Sequence, residues 1–292
     1  MKKFAIIVVN YNSSNDLLET MESLDKFSDE IFDAYIVDNA SDKDDLMNLE
    51  NNLNKKHFLI KLEKNLGFAG GNNVAIKECL NKGYDYLFLL NPDTIIEDKN
   101  FFEIIEEQII KEKADIIGPL IKFYPEKDKI YFAGGEVNKY TAFTKMVGKK
   151  EIDVGQFKEN IEYDFITGCA MVIRKEVFER IGLLPEEYFL YFEETDFCMN
   201  AKNEGFKIIF TPKTYLYHKV STSIKYLSNT YLYYMIRNYR IFASKHVKHF
   251  YLPIFWLYYL FVWCLGYLVL SIVKKNYGGY RYILKGLFNE QI

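Results

Sequence analysis

The sequence predicts an α/β fold, a mostly parallel central sheet flanked by helices, followed by a helical, aromatic-rich C-terminal extension. Three observations predict it. Through the first half, short apolar runs alternate with amphipathic stretches of helical period, the rhythm of strand–helix–strand units whose sheet is covered on both faces. Polar residues collect where those apolar runs stop, at 10–12, 38–39, 65 and 91–93, and ligands of such sheets bind outside the carboxyl ends of the strands. Towards the end aromatic residues concentrate, and 250–273 holds no charged side chain.

In chain order, Phe4–Asn10 is the first strand. Its apolar run follows Met1, Lys2 and Lys3, but it is short and stops at Asn10-Tyr11-Asn12 with no small-residue cleavage site, unlike a secretory leader. Ser14 or Asn15 caps a helix to about residue 27. Strands at 34–38, 58–62 and 86–90 then alternate with helices at 43–55, 71–82 and 101–113. Beyond this the pattern changes to strands broken by Gly and Pro (115–123, 130–137, 141–147), as in a mixed sheet or a flap. A polar surface loop is expected at 149–160, a strand at 163–174, a short helix over 175–181 stopped by Gly182, a helix over 194–204 and a strand over 207–211. From Tyr226 the pattern is helical. The expected division is a globular domain over 1–225, in halves 1–113 and 114–225, and an extension over 226–292.

The bulk properties exclude several classes of function. A net charge of −3 and a pI near 5.9 leave no basic footprint for nucleic acid. Cys79, Cys169, Cys198 and Cys264 are scattered, without the CxxC spacing of zinc or redox sites, which fits a reducing cytosol. The uncharged 250–273 run is long enough to span a bilayer. Lys245 and Lys248 precede it and Lys274 and Lys275 follow it, so positive charge selects no orientation. Pro253 and the tyrosines and tryptophans of the run suit a helix lying in the membrane interface at least as well as one crossing it. A buried helical hairpin or a homo-oligomer contact would use the same residues.

Five stretches carry candidate chemistry. In Leu90-Asn91-Pro92-Asp93 the proline stops the strand and leaves Asp93 at the ligand edge, where one carboxylate can help to hold Mg²⁺ or Mn²⁺ with phosphate oxygens; the same residues also form an ordinary turn. The run from Asn65 through Gly67, Gly70, Gly71, Asn72 and Asn73 lets backbone amides approach an anion at a helix start, or simply joins strand to helix, and is neither GxGxxG nor a P-loop. Asp38 can accept from a nucleobase or ribose, or cap a helix. Glu193, Glu194 and Asp196 stand among aromatics at a helix start, where apolar neighbours raise a carboxyl pKa and the dipole lowers it, so one of them can act as a base; three acids there also complement the dipole. His218 follows a strand and can ligate a metal or touch a phosphate, though a lone histidine is more often structural.

Taken in order, these segments resemble the inverting glycosyltransferases of family 2, with the GT-A nucleotide-diphospho-sugar transferase fold, and most of all their rhamnosyltransferase-like branch. The resemblance rests on 8–12, 37–41, 65–73, 90–93, Thr167-Gly168-Cys169-Ala170-Met171, 189–198 and His218, and covers about 3–240. It implies that Asn10, Tyr11 and Asp38 line the base and ribose pocket, and that Asn65, Gly67, Gly71, Asn72, Asn73 and Asn91 approach the donor. Thr167, Gly168 and Cys169 would border the acceptor. Asp93 matches the last carboxylate of the Asp-x-Asp metal motif, whose first acid is replaced by Asn91, and His218 would sit near the metal and diphosphate. Glu194 takes the place of the base in a segment that usually reads Phe-Glu-Asp-x-Asp, one methylene longer, so Glu193 or Asp196 could share its role.

The implied reaction is a single displacement from a nucleotide-diphosphate sugar (dTDP-rhamnose or a UDP-hexose) to a glycan or lipid-linked acceptor, assisted by a divalent metal, Mg²⁺ or Mn²⁺. Residues 231–240, with the Arg237-Asn238 pair, match a segment that recurs after catalytic domains acting on lipid-linked acceptors, which implies a place at the inner face of a bacterial membrane in surface polysaccharide synthesis. Two other readings use the same residues. A non-catalytic nucleotide-sugar-binding subunit is suggested by Asn91 and the Glu-Glu-Thr-Asp variant; a nucleotidyltransferase lacks its basic Gly-rich loop, since Asn10-Tyr11-Asn12-Ser13-Ser14 stands there.

Overall fold

The computed structural model describes residues 3–220 and 226–290. Two compact units divide the chain: Met1–Glu136, Met146–Phe189 and Glu193–Ser221 form the first, and Val137–Lys145, Leu190–Phe192 and Thr222–Ile292 the second. The boundary expected between 225 and 226 adjoins the stretch 221–225, outside the described residues.

The first unit is built on one sheet. Strands β1 (Phe4–Asn10), β2 (Phe32–Asp38), β3 (Phe58–Lys61) and β4 (Tyr86–Leu90) are parallel, and helices α1 (Ser14–Leu24), α2 (Lys43–Asn52) and α3 (Gly67–Lys82) connect them. After the short β5 (Thr94–Ile95) and α4 (Phe101–Glu112) come β6 (Ile116–Phe123) and β7 (Ile130–Phe132), and then a two-stranded ribbon of β8 (Gly135–Val137) and β9 (Thr144–Met146), in which the chain leaves this unit at Val137 and returns to it at Met146. β10 (Ile161–Glu162), β11 (Ala170–Arg174), α5 (Lys175–Ile181), α6 (Glu193–Asn203) and β12 (Ile208–His218) complete the unit. The strand order is β10-β12-β6-β11-β4-β1-β2-β3, with β5 paired to β12 and β7 to β6. β11 runs antiparallel between β4 and β6, so the sheet is mixed on one side of β4.

Apolar and polar residues segregate along the strands. Phe4 and Phe32 at the starts of β1 and β2, and Phe88 midway along β4, join Phe27, Phe101 and Phe102 in an aromatic cluster, with the Phe102 ring 5.0 Å from Phe27 and 5.3 Å from Phe32. Phe4 to Val8 of β1 are all buried, and each large side chain there contributes roughly 1.5–3 kcal/mol. The opposite ends carry Asn10, Asp38 and, beyond β4, Asn91 and Asp93. The core is therefore anchored at one edge and leaves the other for polar work.

Several expected elements differ. The expected 130–137 strand is two, β7 on the main sheet and β8 in the ribbon, broken at Gly134 with its φ of +111°. α3 begins at Gly67 and not at 71, which puts Gly70 and Gly71 inside the helix; the Cβ of any other residue at 71 would lie 3.0 Å from Val9 of β1. β11 covers only the end of the expected 163–174 strand, because 163–169 runs as a loop after β10. β12 extends past the expected 207–211 to His218: a register shift between Thr211 and Tyr215 absorbs Pro212, which cannot donate to the ladder.

The second unit is helical. α7 (Asn229–His246) is capped by the Ser228 hydroxyl, which accepts from Tyr231 N–H at 3.3 Å. A 25-residue apolar helix, His249–Val273, follows, made of a 3₁₀ turn (His249–Tyr251), α8 (Leu252–Tyr258), a π-helical turn (Tyr259–Cys264) and α9 (Leu265–Val273). α10 (Gly279–Phe288) packs on α7 through Gly279 and Gly286, where a Cβ would come within 2.7 Å of Leu232 and of the Tyr233 carbonyl.

Candidate active site

At the carboxyl ends of β1 and β2, Asn10 and Asp38 are register partners and both are fully buried. The Asn10 amide lies within hydrogen-bonding distance of Asp38 Oδ1 (3.0 Å), Ser41 Oγ (3.1 Å) and Asp45 Oδ2 (2.8 Å). Asp45 also accepts from Ser14 N–H at 2.9 Å; burial works against its charge, but these bonds hold its carboxyl below the usual range. Asn10 thus shapes the edge through its neighbours, while Tyr11 beside it is 39% exposed. Asn39 ties the next loop in: it donates to Asn65 Oδ1 (3.0 Å) and Gly67 O (3.1 Å) and accepts from Leu66 N–H (2.8 Å).

The glycine-rich segment proves to be a packing element. Gly67 has φ +73° and a Cβ there would lie 2.2 Å from the Phe189 carbonyl oxygen, so only glycine fits. Asn72 bonds back to Phe68 O, and Asn73 exchanges bonds with Leu184 and donates to Glu186, which engages both amides inside the unit. These bonds hold both side chains in place from the first turns of α3, which starts earlier than the expected residue 71.

Asp93 and His218 come together from distant parts of the sequence. β5 pairs antiparallel with the end of β12, Thr94 opposite His218, and Lys219 N–H bonds Asp93 O at 2.9 Å. Both side chains are buried, and His218 Nε2 lies 3.0 Å from Asp93 Oδ1. The Tyr131 ring stands edge-on to the imidazole at 4.5 Å, and His218 Nδ1 has no hydrogen-bond partner among the described residues. From α1, Thr20 Oγ1 sits 2.7 Å from the carbonyl oxygens of both Pro92 and Thr94, fixing the turn that presents Asp93.

The pair fits a divalent cation. Two ligands about 2.0–2.1 Å from Mg²⁺ at right angles are about 3 Å apart, and such ions complete their shell with phosphate oxygens and water. Among the described residues no group of three or more His, Cys, Asp or Glu side chains gathers as a cage, so this chain would contribute the two donors and leave the other positions open.

Glu194 occupies the start of α6. Of the three acids of this stretch it alone is partly exposed; Glu193 and Asp196 are buried, and Asp196 lies beside the buried phenol of Tyr188. Desolvation pushes the Glu194 carboxyl above its usual range, against the N–H groups of Glu194, Thr195 and Gly168. A Cβ at Gly168 would meet the Phe68 ring at 2.8 Å and Glu194 Cβ at 3.5 Å, so the loop packs closely against both.

The Thr167-Gly168-Cys169 loop links this acid to the metal-type pair. Cys169 O accepts from Asn91 N–H at 2.9 Å, and burial, with the Asp93 charge behind it, pushes the Cys169 thiol well up, leaving it neutral. Gly168 on one side of the loop and Cys169 on the other so connect Glu194 with Asn91 and Asp93. Sequence reasoning missed Thr20, Asn39, Asp45 and Tyr131 as contributors. Asn39 stands inside a motif already singled out; the others sit in ordinary helix or strand positions and carry no local signal.

The chain matches known proteins in keeping with this geometry. The family model described as Glycosyl transferase family 2 matches residues 5–182. The low-salt glycan biosynthesis hexosyltransferase Agl10 of Haloferax volcanii is 28% identical over 207 residues, 70% of this chain but only 63% of its own length. The dTDP-rhamnosyl transferase RfbF of Shigella flexneri is 24% identical over 217 residues, 73% of this chain and 68% of its own. Among solved structures, GalNAc-T7 with UDP, GalNAc and Mn²⁺ superposes with a TM-score of 0.61 at 16% identity, covering 84% of this chain and 48% of that one. The shared fold is GT-A.

Proposed function

The chain belongs to glycosyl transferase family 2, and from that premise we propose an inverting glycosyltransferase that moves a sugar from a nucleotide-diphosphate donor, dTDP-rhamnose or a UDP-hexose, to a glycan or lipid-linked acceptor. Glu194 carries the reading: a partly exposed carboxylate at a helix start, made more basic by its surroundings, next to the loop expected to border the acceptor. A base is most effective when its pKa approaches the working pH.

Glu194 takes the proton of the acceptor hydroxyl as that oxygen attacks the anomeric carbon. The bond to the diphosphate breaks on the opposite face, and configuration inverts. Asp38, steadied by Asn10, and Tyr11 receive the nucleoside at the ends of β1 and β2. Asp93 and His218 would hold Mg²⁺ or Mn²⁺, which when bound neutralises charge on the departing diphosphate. Thr167 and Gly168 orient the acceptor towards Glu194. The donor named for RfbF and the Mn²⁺ that accompanies UDP in the GalNAc-T7 structure support these assignments by likeness. On this reading 1–225 is the catalytic domain and 226–292 an extension serving cytoplasmic work at the inner face of the cell membrane, in surface polysaccharide assembly.

A donor screen tests it. Purified protein with Mn²⁺ or Mg²⁺ and a panel of nucleotide sugars should release nucleoside diphosphate from one donor, and chelator should abolish the release. Silence with every donor, persisting with lipid-linked acceptors and without donor binding, would overturn the reading in favour of a non-catalytic subunit.

A further inference from the structure

The second unit turns apolar side chains outward. Helix 249–273 buries Phe255, Tyr259, Cys264, Tyr267 and Ser271. This stripe lies along α7: Tyr259 Oη donates to Ile236 O at 3.0 Å, Trp263 Nε1 to Met235 O at 3.4 Å, and the Tyr231 and Tyr267 hydroxyls meet at 3.1 Å. The five-residue step from Tyr259 to Cys264, taken through the π turn, keeps both halves of the stripe on α7. On the other side Phe250, Leu257, Phe261 and Val273 are 61–77% exposed, and α10 adds Tyr280, Leu284 and Phe288 at four-residue spacing. So extensive an apolar face marks an interaction surface.

Charge identifies what covers it. The second unit holds 11 Lys and Arg against one acid, a net +10, whereas the first holds 26 against 39, a net −13. A second copy docked on this face would oppose two strongly cationic units. An anionic lipid surface complements both the charge and the apolar stripe.

We propose that this face docks in the plane of one anionic bilayer leaflet, with helix 249–273 lying at the headgroup–acyl boundary and not crossing. α7 runs antiparallel beside the helix and carries Arg237, Asn238 and Arg240 at mid-length, so a crossing helix would draw them into hydrocarbon. In the plane, α7 stays on the water side. Exposed Lys248, His249, Lys274, Lys275 and Arg281 then reach the phosphates. The inference deepens the membrane-facing part of the proposed function but needs only the second unit.

Vesicle flotation of the full chain tests it, read without turnover, so that its failure leaves sugar transfer standing and the reverse. Binding should require phosphatidylglycerol (about 30% in phosphatidylcholine) and fall roughly tenfold or more in pure phosphatidylcholine or at about 0.5 M salt. Phe261→Glu should weaken it about tenfold with an unchanged melting temperature. Cysteines placed by Lys248→Cys and Lys275→Cys should both react with an impermeant maleimide added outside, the four native cysteines being buried. Labelling at one end only would show a crossing helix and overturn the proposal. Wild-type flotation by Phe261→Glu would overturn it as well, as would a dimer that this variant dissociates and that ignores vesicles.

Discussion

The two units of this chain use their side chains in opposite ways. The first buries polar groups: Asn10, Asp38, Asn39, Asp93, Asp196 and His218 are all inside, and Asn10 is tied to Asp38, Asn39 to Asn65 and Asp93 to His218. The second exposes apolar ones along helix 249–273, of whose most apolar stretch only 22% is buried. A buried polar group costs stability unless it is satisfied, so the first unit reveals chemistry where it concentrates such groups. An exposed apolar stripe costs solubility, so the second reveals a surface to be covered.

The sharpest test of the first unit is Glu194→Gln, which keeps size and hydrogen bonding but removes the base. Turnover should fall about 10²–10⁴-fold while donor affinity holds, measured by steady-state kinetics and calorimetry; near-normal turnover would remove Glu194 from its role. Next, Asp93→Ala and His218→Ala should each lower turnover roughly 10²-fold or more, and the double variant should be no worse than the poorer single, because the pair acts as a unit. Mn²⁺ titration of each would separate lost metal from lost fold.

Backbone packing gives a smaller effect. Gly67→Ala should destabilise by about 1–3 kcal/mol in urea denaturation, through its positive φ and the Phe189 carbonyl, and by more than Gly155→Ala, whose φ is also positive but which meets nothing within 4 Å. Equal losses would mean that the Phe189 approach is not what selects glycine.

A pH series refines the Glu194 assignment. Its folded pKa is raised, so the charged form is the disfavoured one: no penalty exists below the ordinary value of 4.5, and a penalty grows as pH rises through the interval up to the folded pKa. Glu194→Gln should therefore match wild type in melting temperature near pH 4 and gain on it as pH rises towards 7. The acid limb of the wild-type rate profile should lie above the ordinary carboxylate range. The smallest effect belongs to the second unit: Phe261→Glu in the absence of lipid should leave folding stability within about 0.5 kcal/mol, since the side chain is 66% exposed.

Much of the site was legible because its residues sit at strand and helix ends, where Pro92 stops a strand and where acids crowd a helix start. Less was legible where a partner comes from afar. Asn10 meets Asp45 across 35 residues, and His218 meets Asp93 only because β12 runs on through a bulge past Pro212. Asn238 shows the same limit. The Arg237-Asn238 pair is visible in the sequence, but the work of Asn238, donating to Leu190 O at 2.7 Å and Tyr191 O at 3.0 Å, depends on α7 reaching a loop some 47 residues earlier. Phe189, Tyr191 and Phe192 in that stretch hold positive φ, a conformation no composition announces.

By itself the sequence determined the strand and helix rhythm of the first half, the polar edge and the uncharged aromatic run, because periodicity and chain-breaking residues act within a few positions. Tertiary structure decided the rest. It inserted β11 antiparallel between β4 and β6, turned Gly70 and Gly71 into helix packing, left Glu194 partly exposed beside the buried Glu193 and Asp196, and divided a nearly neutral chain into a unit of −13 and one of +10. Those outcomes depend on which distant surfaces exclude water together, and that is fixed only when the whole core closes.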